Sequence, residues 1–186
     1  VPRAAAYPRG RGAGVPPHLP PPPPPALGAG GGGAGGALPH IRALAEALGL
    51  QGISEEAVAL VAAHYQPHEP DDAAADAAVA DLVAACGGVP DDATATRICL
   101  LVQACAATTA LVANVRELDP HGSVEERIAR TMDEHPPLRS TRRVVNGELV
   151  ELDMRHPGLG FGAGPHACPG RAHAIALTAG MIEGSA

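Results

Sequence analysis

At 186 residues with a formal net charge of −7, the chain is sized for one domain, and its acidic balance argues against a nucleic-acid-binding face. It is 46% apolar yet holds two tyrosines, one phenylalanine and no tryptophan, so alanine, leucine and valine must fill any interior. Apolar burial is worth about 25 cal/mol per Å², so an alanine-built core is thin. A large apolar cofactor bound only by the folded state would add to it. All 13 basic residues are arginine, which with the abundant alanine reads as the trace of a GC-rich genome. The four cysteines, Cys86, Cys99, Cys105 and Cys168, have no Cys-x-x-Cys spacing, which speaks against a zinc site or a paired framework. Cys86, Cys99 and Cys105 fall in apolar helical patterns and are expected to be small core residues. No charged and apolar leader opens the chain, so no signal peptide is expected. The first residue, Val1, suits a fragment or a processed product.

Residues 1–37 are of low complexity. Pro20 to Pro25 is an unbroken proline run, and Gly28 to Gly36 is nearly all glycine. Such segments bury too little to offset their ordering entropy, so disorder is expected, as a linker or as a proline-rich ligand for a partner. From Leu38 the pattern becomes helical. Pro39, Ile41, Leu44, Ala45 and Leu48 make one apolar face stopped by Gly49. Ser54, Glu55 and Glu56 open a second helix through Val58, Val61 and Ala62. Asp71 to Ala85 predicts a third, with Val79, Leu82 and Val83 as its stripe, ended by Gly87 and Gly88.

Asp91 and Asp92 open the most apolar segment. Ile98 to Val115 carries no charge over 18 residues, the lower limit for a membrane span. Gln103, Thr108, Thr109, Asn114 and many small residues favour a long buried helix of a soluble domain instead. A helix over Val124 to Met132 follows, then Pro136 and Pro137. Ser140–Val145 and Glu148–Leu152 predict two strands joined by a tight Asn146-Gly147 turn. A glycine-rich loop leads into a last helix from Pro169 to about Ile182. The expected class is mainly α with a small β hairpin.

Residues 161–170 read Phe-Gly-Ala-Gly-Pro-His-Ala-Cys-Pro-Gly. Gly162 and Gly164 permit unusual backbone angles and close approach. Cys168 precedes Pro169, a favoured first helical residue, so its thiol is expected at a helix N-terminus that favours the thiolate. A thiolate is a good soft ligand for iron. This stretch resembles the haem-binding signature of the cytochrome P450 family, Phe-Gly-x-Gly-x-(Arg or His)-x-Cys-x-Gly. Phe161, Gly162, Gly164, His166, Cys168 and Gly170 match every specified position, and Ala174 matches the family's alanine four residues on.

The resemblance implies haem b as cofactor and Cys168 as the proximal iron ligand, with Phe161 shielding the sulfur and His166 near a propionate. Ala104-Cys105-Ala106-Ala107-Thr108-Thr109 resembles the family's oxygen-side motif, (Ala or Gly)-Gly-x-(Asp or Glu)-Thr-Thr. Thr108, with Thr109 beside it, would serve the proton relay, but Cys105 replaces a glycine and Ala107 replaces the acid. Pro136 to Val144 resembles the stretch whose arginine meets a propionate. Arg143 fits best and Arg142 second, since an arginine fork suits a carboxylate. The family's Glu-x-x-Arg motif is broken. One register gives Glu126 with Ala129, the other Arg130 with Asp133, and the sequence leaves both open.

Residues 38–186 are thus identified with the C-terminal half of a P450-like fold, a short or partial bacterial-type member. The implied activity is that of a cytoplasmic haem-thiolate monooxygenase, inserting one atom of O2 into a small apolar substrate. A ferredoxin and ferredoxin reductase would donate electrons, and no nucleic acid or membrane partner is expected. Two alternatives stand beside it: a catalytically reduced haem-binding helper of a partner enzyme, and a peroxygenase.

Overall fold

The computed structural model describes residues 37–66, 69–118 and 120–184. The Pro/Gly-rich stretch 1–37, except Ala37, lies outside them. The elements run α1 (Pro39–Ala47), α2 (Glu55–His64), α3 (Ala73–Ala85), α4 (Asp92–Glu117), α5 (Val124–Glu134), β1 (Ser140–Val145), β2 (Glu148–Asp153) and α6 (Arg171–Glu183). A short 3-10 turn, Gly164–His166, precedes α6. The protein is therefore mainly helical with one small antiparallel sheet.

Side-chain caps set the helix starts. Ser54 accepts from the Ala57 N–H at 3.1 Å, Asp72 from Ala75 at 2.8 Å and Asp91 from Thr94 at 2.8 Å. Ser123 and Glu126 cap α5 reciprocally. Each satisfies an orphan donor and is worth about 1 kcal/mol. The helix expected from Asp71 starts later because Asp72 is its cap rather than part of it. Gly87 and Gly88, at φ 112° and 78°, turn the chain out of α3.

The core is split in two, and α4 serves both parts. Leu101, Val102 and Cys105 pack with Ile41 and Ala45 of α1, Val58 and Val61 of α2, and Ala78 and Leu82 of α3. Further along, Leu111 and Val115 pack with Ile128 and Met132 of α5, and Phe161, Ile175, Ala179 and Ile182 lie against them. The uncharged inner face of α4 follows from this double contact. The helix is buried along one face only: 44% of its most apolar window is covered, while Cys99, Leu100, Gln103, Ala106, Ala107 and Ala113 are exposed. Among the described residues, α4 is the one helix long and apolar enough to cross a membrane.

Two side-chain expectations are corrected. Cys99 is exposed, unlike Cys86 and Cys105. The buried stripe of α3 is Ala75, Ala78 and Leu82, whereas Val79 is exposed and Val83 only half-buried. Alanine on every face of α3 leaves its orientation to be set by close packing on α2, not by periodicity.

The hairpin forms in the expected register, Val144 opposite Leu149 and Val145 opposite Glu148. Asn146 and Gly147 take φ 53° and 85°, the left-handed pair that a two-residue turn requires. Its contacts are chiefly between its own strands. Asp133 of α5 accepts a hydrogen bond from the Gly158 N–H at 3.1 Å, which ties the chain after β2 back to the helices.

Two adjacent leucines test the one-sided burial of α4. Leu101 is fully buried and Leu100 is 44% exposed. Leu101→Ala is expected to lower unfolding stability by about 3 kcal/mol through the cavity it leaves. Leu100→Ala should change it by less than about 0.5 kcal/mol. Urea denaturation midpoints with unchanged slopes measure both.

Candidate functional site

After β2 the chain crosses α5 so closely that side chains must be absent. A Cβ on Gly160 would meet the Met132 Cε at 2.6 Å and its carbonyl oxygen at 2.8 Å. Phe161 then turns into the second core cluster, and the Arg171 guanidinium lies 5.5 Å from its ring centroid, a cation–π contact. The loop closes on its own backbone. Gly162 N–H donates to Leu159 at 2.7 Å, Ala167 N–H to Gly164 at 3.1 Å, and Cys168 N–H to Phe161 at 2.7 Å.

Gly162 has φ +70°, and a Cβ there would collide with the His166 carbonyl oxygen. Gly164 has φ +57° with open space around it. Gly170 is the residue whose Cβ would approach the Cys168 sulfur, at 3.8 Å. The Cys168 side chain is exposed, as is His166 in the 3-10 turn. Ala174 follows in the first turn of α6, its N–H donating to Gly170 at 2.9 Å.

The helix after Cys168 starts later than Pro169. It begins at Arg171 with Gly170 as N-cap, and Pro169 lies in the preceding turn. The helix dipole fades within its first turn, so this shift weakens its hold on the thiol. The Cys168 carbonyl instead accepts from the Arg171 N–H at 3.3 Å and leads the chain into the helix.

Thr108 is buried and lies on the same face of α4 as Leu111 and Val112, three and four residues on. Thr108 thus lies between Cys105 of the first cluster and Leu111 of the second, the cluster that receives Phe161. Thr109 is exposed, and its hydroxyl donates to the Cys105 carbonyl at 2.8 Å. Ala107 is exposed and brings no proton-carrying group to this helix face.

Arg142 and Arg143 are exposed on β1, and neither bonds to the loop. Arg143 donates to the Thr141 hydroxyl at 2.9 Å and to the Arg142 carbonyl at 2.7 Å, while Arg142 stands opposite Glu151. Of the residues weighed for a Glu-x-x-Arg motif, Glu126 belongs to the α5 cap, Arg130 donates to the His121 carbonyl at 3.0 Å, and Asp133 holds Gly158.

Two functional-looking groups escaped sequence reasoning. Arg127 donates from α5 to the Val115 carbonyl of α4 at 3.0 Å. His40 on α1 is 2% exposed, with Nε2 3.3 Å from the Cys105 carbonyl oxygen and 3.5 Å from the Thr109 hydroxyl. Partners so distant in sequence leave no local pattern to read.

The donor chemistry suits a haem iron on one side. Cys168 is exposed, and a side chain is excluded at Gly162, while a Cβ at Gly170 would make only an ordinary contact with the Cys168 sulfur. Two clefts, of about 440 and 390 Å³, lie elsewhere, between α2, α3 and α4 and at the start of α4. No family model, curated protein or solved structure matches the chain.

The two loop glycines separate steric from conformational demand. Gly164→Ala should cost about 1 kcal/mol, the strain of a left-handed alanine. Gly162→Ala should cost more, because the collision with His166 adds to that strain, and should speed amide exchange at Cys168. Urea midpoints and exchange rates compare the pair.

Proposed function

We propose that the chain binds haem b through the Cys168 thiolate and serves a cytochrome P450-type monooxygenase reaction on a small apolar substrate. The observation that carries this reading is the exposed Cys168 sulfur, held by a loop that closes through the Cys168 N–H to Phe161 carbonyl bond. Bound haem would supply oxygen activation: one atom of O2 enters the substrate and the other leaves as water, with two electrons from a ferredoxin and its reductase and two protons from solvent.

The chain's own groups take limited roles. Cys168 provides the thiolate, a soft donor suited to iron. Phe161 anchors the loop to α4, α5 and α6, so the sulfur keeps its position. Gly162, Gly164 and Gly170 keep the backbone clear of side chains at the ligand. His166, Arg142 and Arg143 are exposed donors for the carboxylates of the cofactor. Ala174 is the small residue behind the loop. Thr108, with Thr109 beside it, supplies a hydroxyl for proton transfer. A cytoplasmic location without a membrane or nucleic-acid partner completes the reading.

Ala107 favours a second reading. The methyl group where the family carries a carboxylate cannot exchange protons. A haem-binding helper of a partner enzyme needs no such relay, and a peroxygenase needs no redox partner.

A carbon monoxide difference spectrum of the reduced, haemin-loaded protein tests the proposal. A Soret band at about 450 nm is expected for thiolate ligation. Cys168→Ala should abolish it, and Cys105→Ala should retain it. Failure to take up haemin would overturn the proposal. Uptake with the band present, but no reduction by a ferredoxin system, would favour the helper or peroxygenase reading over the monooxygenase.

A further inference from the structure

His40 is a buried titratable group that the proposed chemistry does not use. It sits at the junction of α1 and α4, 2% exposed, beside the core residues Ile41 and Ala45. Its Nε2 faces the Cys105 carbonyl oxygen at 3.3 Å. A carbonyl only accepts, so Nε2 carries the ring proton and Nδ1 is bare. Nδ1 is buried and has no hydrogen-bond partner. A second proton could land only on Nδ1, which would create a buried charge and a donor without an acceptor.

We propose that α1 is an acid-sensitive latch, released from α4 and α6 when His40 takes up a proton. The surrounding groups leave the proton uncompensated. On α1, Arg42 is committed to Glu55 at 2.5 Å, and Glu46 is exposed. From α2, Glu55 is the acidic group that acts on His40, but it also accepts from Arg42 and from the Leu38 N–H. From α4, Cys105 contributes its carbonyl and a thiol pushed up by burial, hence neutral. From α6, the inward residues are uncharged, and Arg171, His173 and Glu183 are exposed.

Burial outweighs the help from the Cys105 carbonyl and Glu55, so the folded imidazole titrates below its ordinary 6.5. The released state then binds more protons than the docked one as pH falls beneath 6.5. The His40 contribution to docking is complete above that pH and is lost on the way down through the lowered value. One extra proton sets the limit at about tenfold more opening per pH unit. The nine residues of α1, joined to α2 by a short connection and with few partners of their own, form a small unit that can open locally.

The test is amide exchange of the full chain between pH 7 and pH 5, corrected for intrinsic rates, in wild type and in His40→Gln. Glutamine keeps a donor for the Cys105 carbonyl and does not titrate. The expected result is that α1 amides open by up to tenfold more per pH unit in wild type, with His40→Gln flat and α5 amides unchanged in both. Equal pH dependence of α1 in the two proteins would overturn the latch. Should His40→Gln not fold, the imidazole signals of wild type decide. Titration below 6.5 together with loss of α1 protection supports the latch, and titration near 6.5 with α1 protected overturns it. None of these outcomes depends on haem, so the latch and the haem proposal fail separately.

Discussion

Leu101, Val102 and Cys105 on one stretch of α4, and Leu111 and Val115 on the next, bury against different helices. The other five helices among the described residues all contact α4, while the hairpin contacts chiefly itself. A chain with one phenylalanine and no tryptophan has few large side chains to bury, so it cannot build two independent cores. It builds two small ones on a single long helix. A charge on the inner face anywhere from Ile98 to Val115 would have to be buried on one side or the other, which accounts for the uncharged inner face but not for the exposed Cys99, Leu100, Ala106, Ala107 and Ala113.

The candidate site inherits its position from the second of these cores. Phe161 is the only phenylalanine in the chain, and it lies in the loop rather than in a helix. Burying a large apolar side chain is worth about 1.5–3 kcal/mol, and Phe161, half-buried, gains part of that. The loop's polar backbone is satisfied internally, with Gly162, Ala167 and Cys168 N–H groups all bonded within it. Anchoring on one side and internal bonding on the other leave the Cys168 sulfur facing outward. On α4, Ala107 places a methyl group beside Thr108, so no acid precedes that hydroxyl in the helix.

Much of this fold was legible because local chemistry wrote it. Ser54 and Asp91 mark helix starts through bonds to N–H groups three residues away, and Asn146-Gly147 marks a turn through the φ values it tolerates. Legibility failed where tertiary packing decides. Alanine occupies several faces of α3, so Val79 and Val83 looked like its stripe until Ala75 and Ala78 were found packed instead. Cys99 shares a helix with buried Cys105 but sits on the other face. Pro169 is a good first helical residue, yet the turn through Cys168 and Gly170 delays α6 to Arg171. In the site, the order Phe161 to Gly170 was readable as a motif. The burial of His40 under Cys105 depends on contacts across the chain that no local pattern encodes.

The proposed haem site rests on one bond, between the Cys168 sulfur and iron. Iron X-ray absorption on the haemin-loaded protein measures the nearest atoms around the metal directly. A sulfur scatterer is expected in the first coordination shell, replaced by a lighter atom in Cys168→Ser. A shell of nitrogen and oxygen alone in the unaltered protein would contradict it.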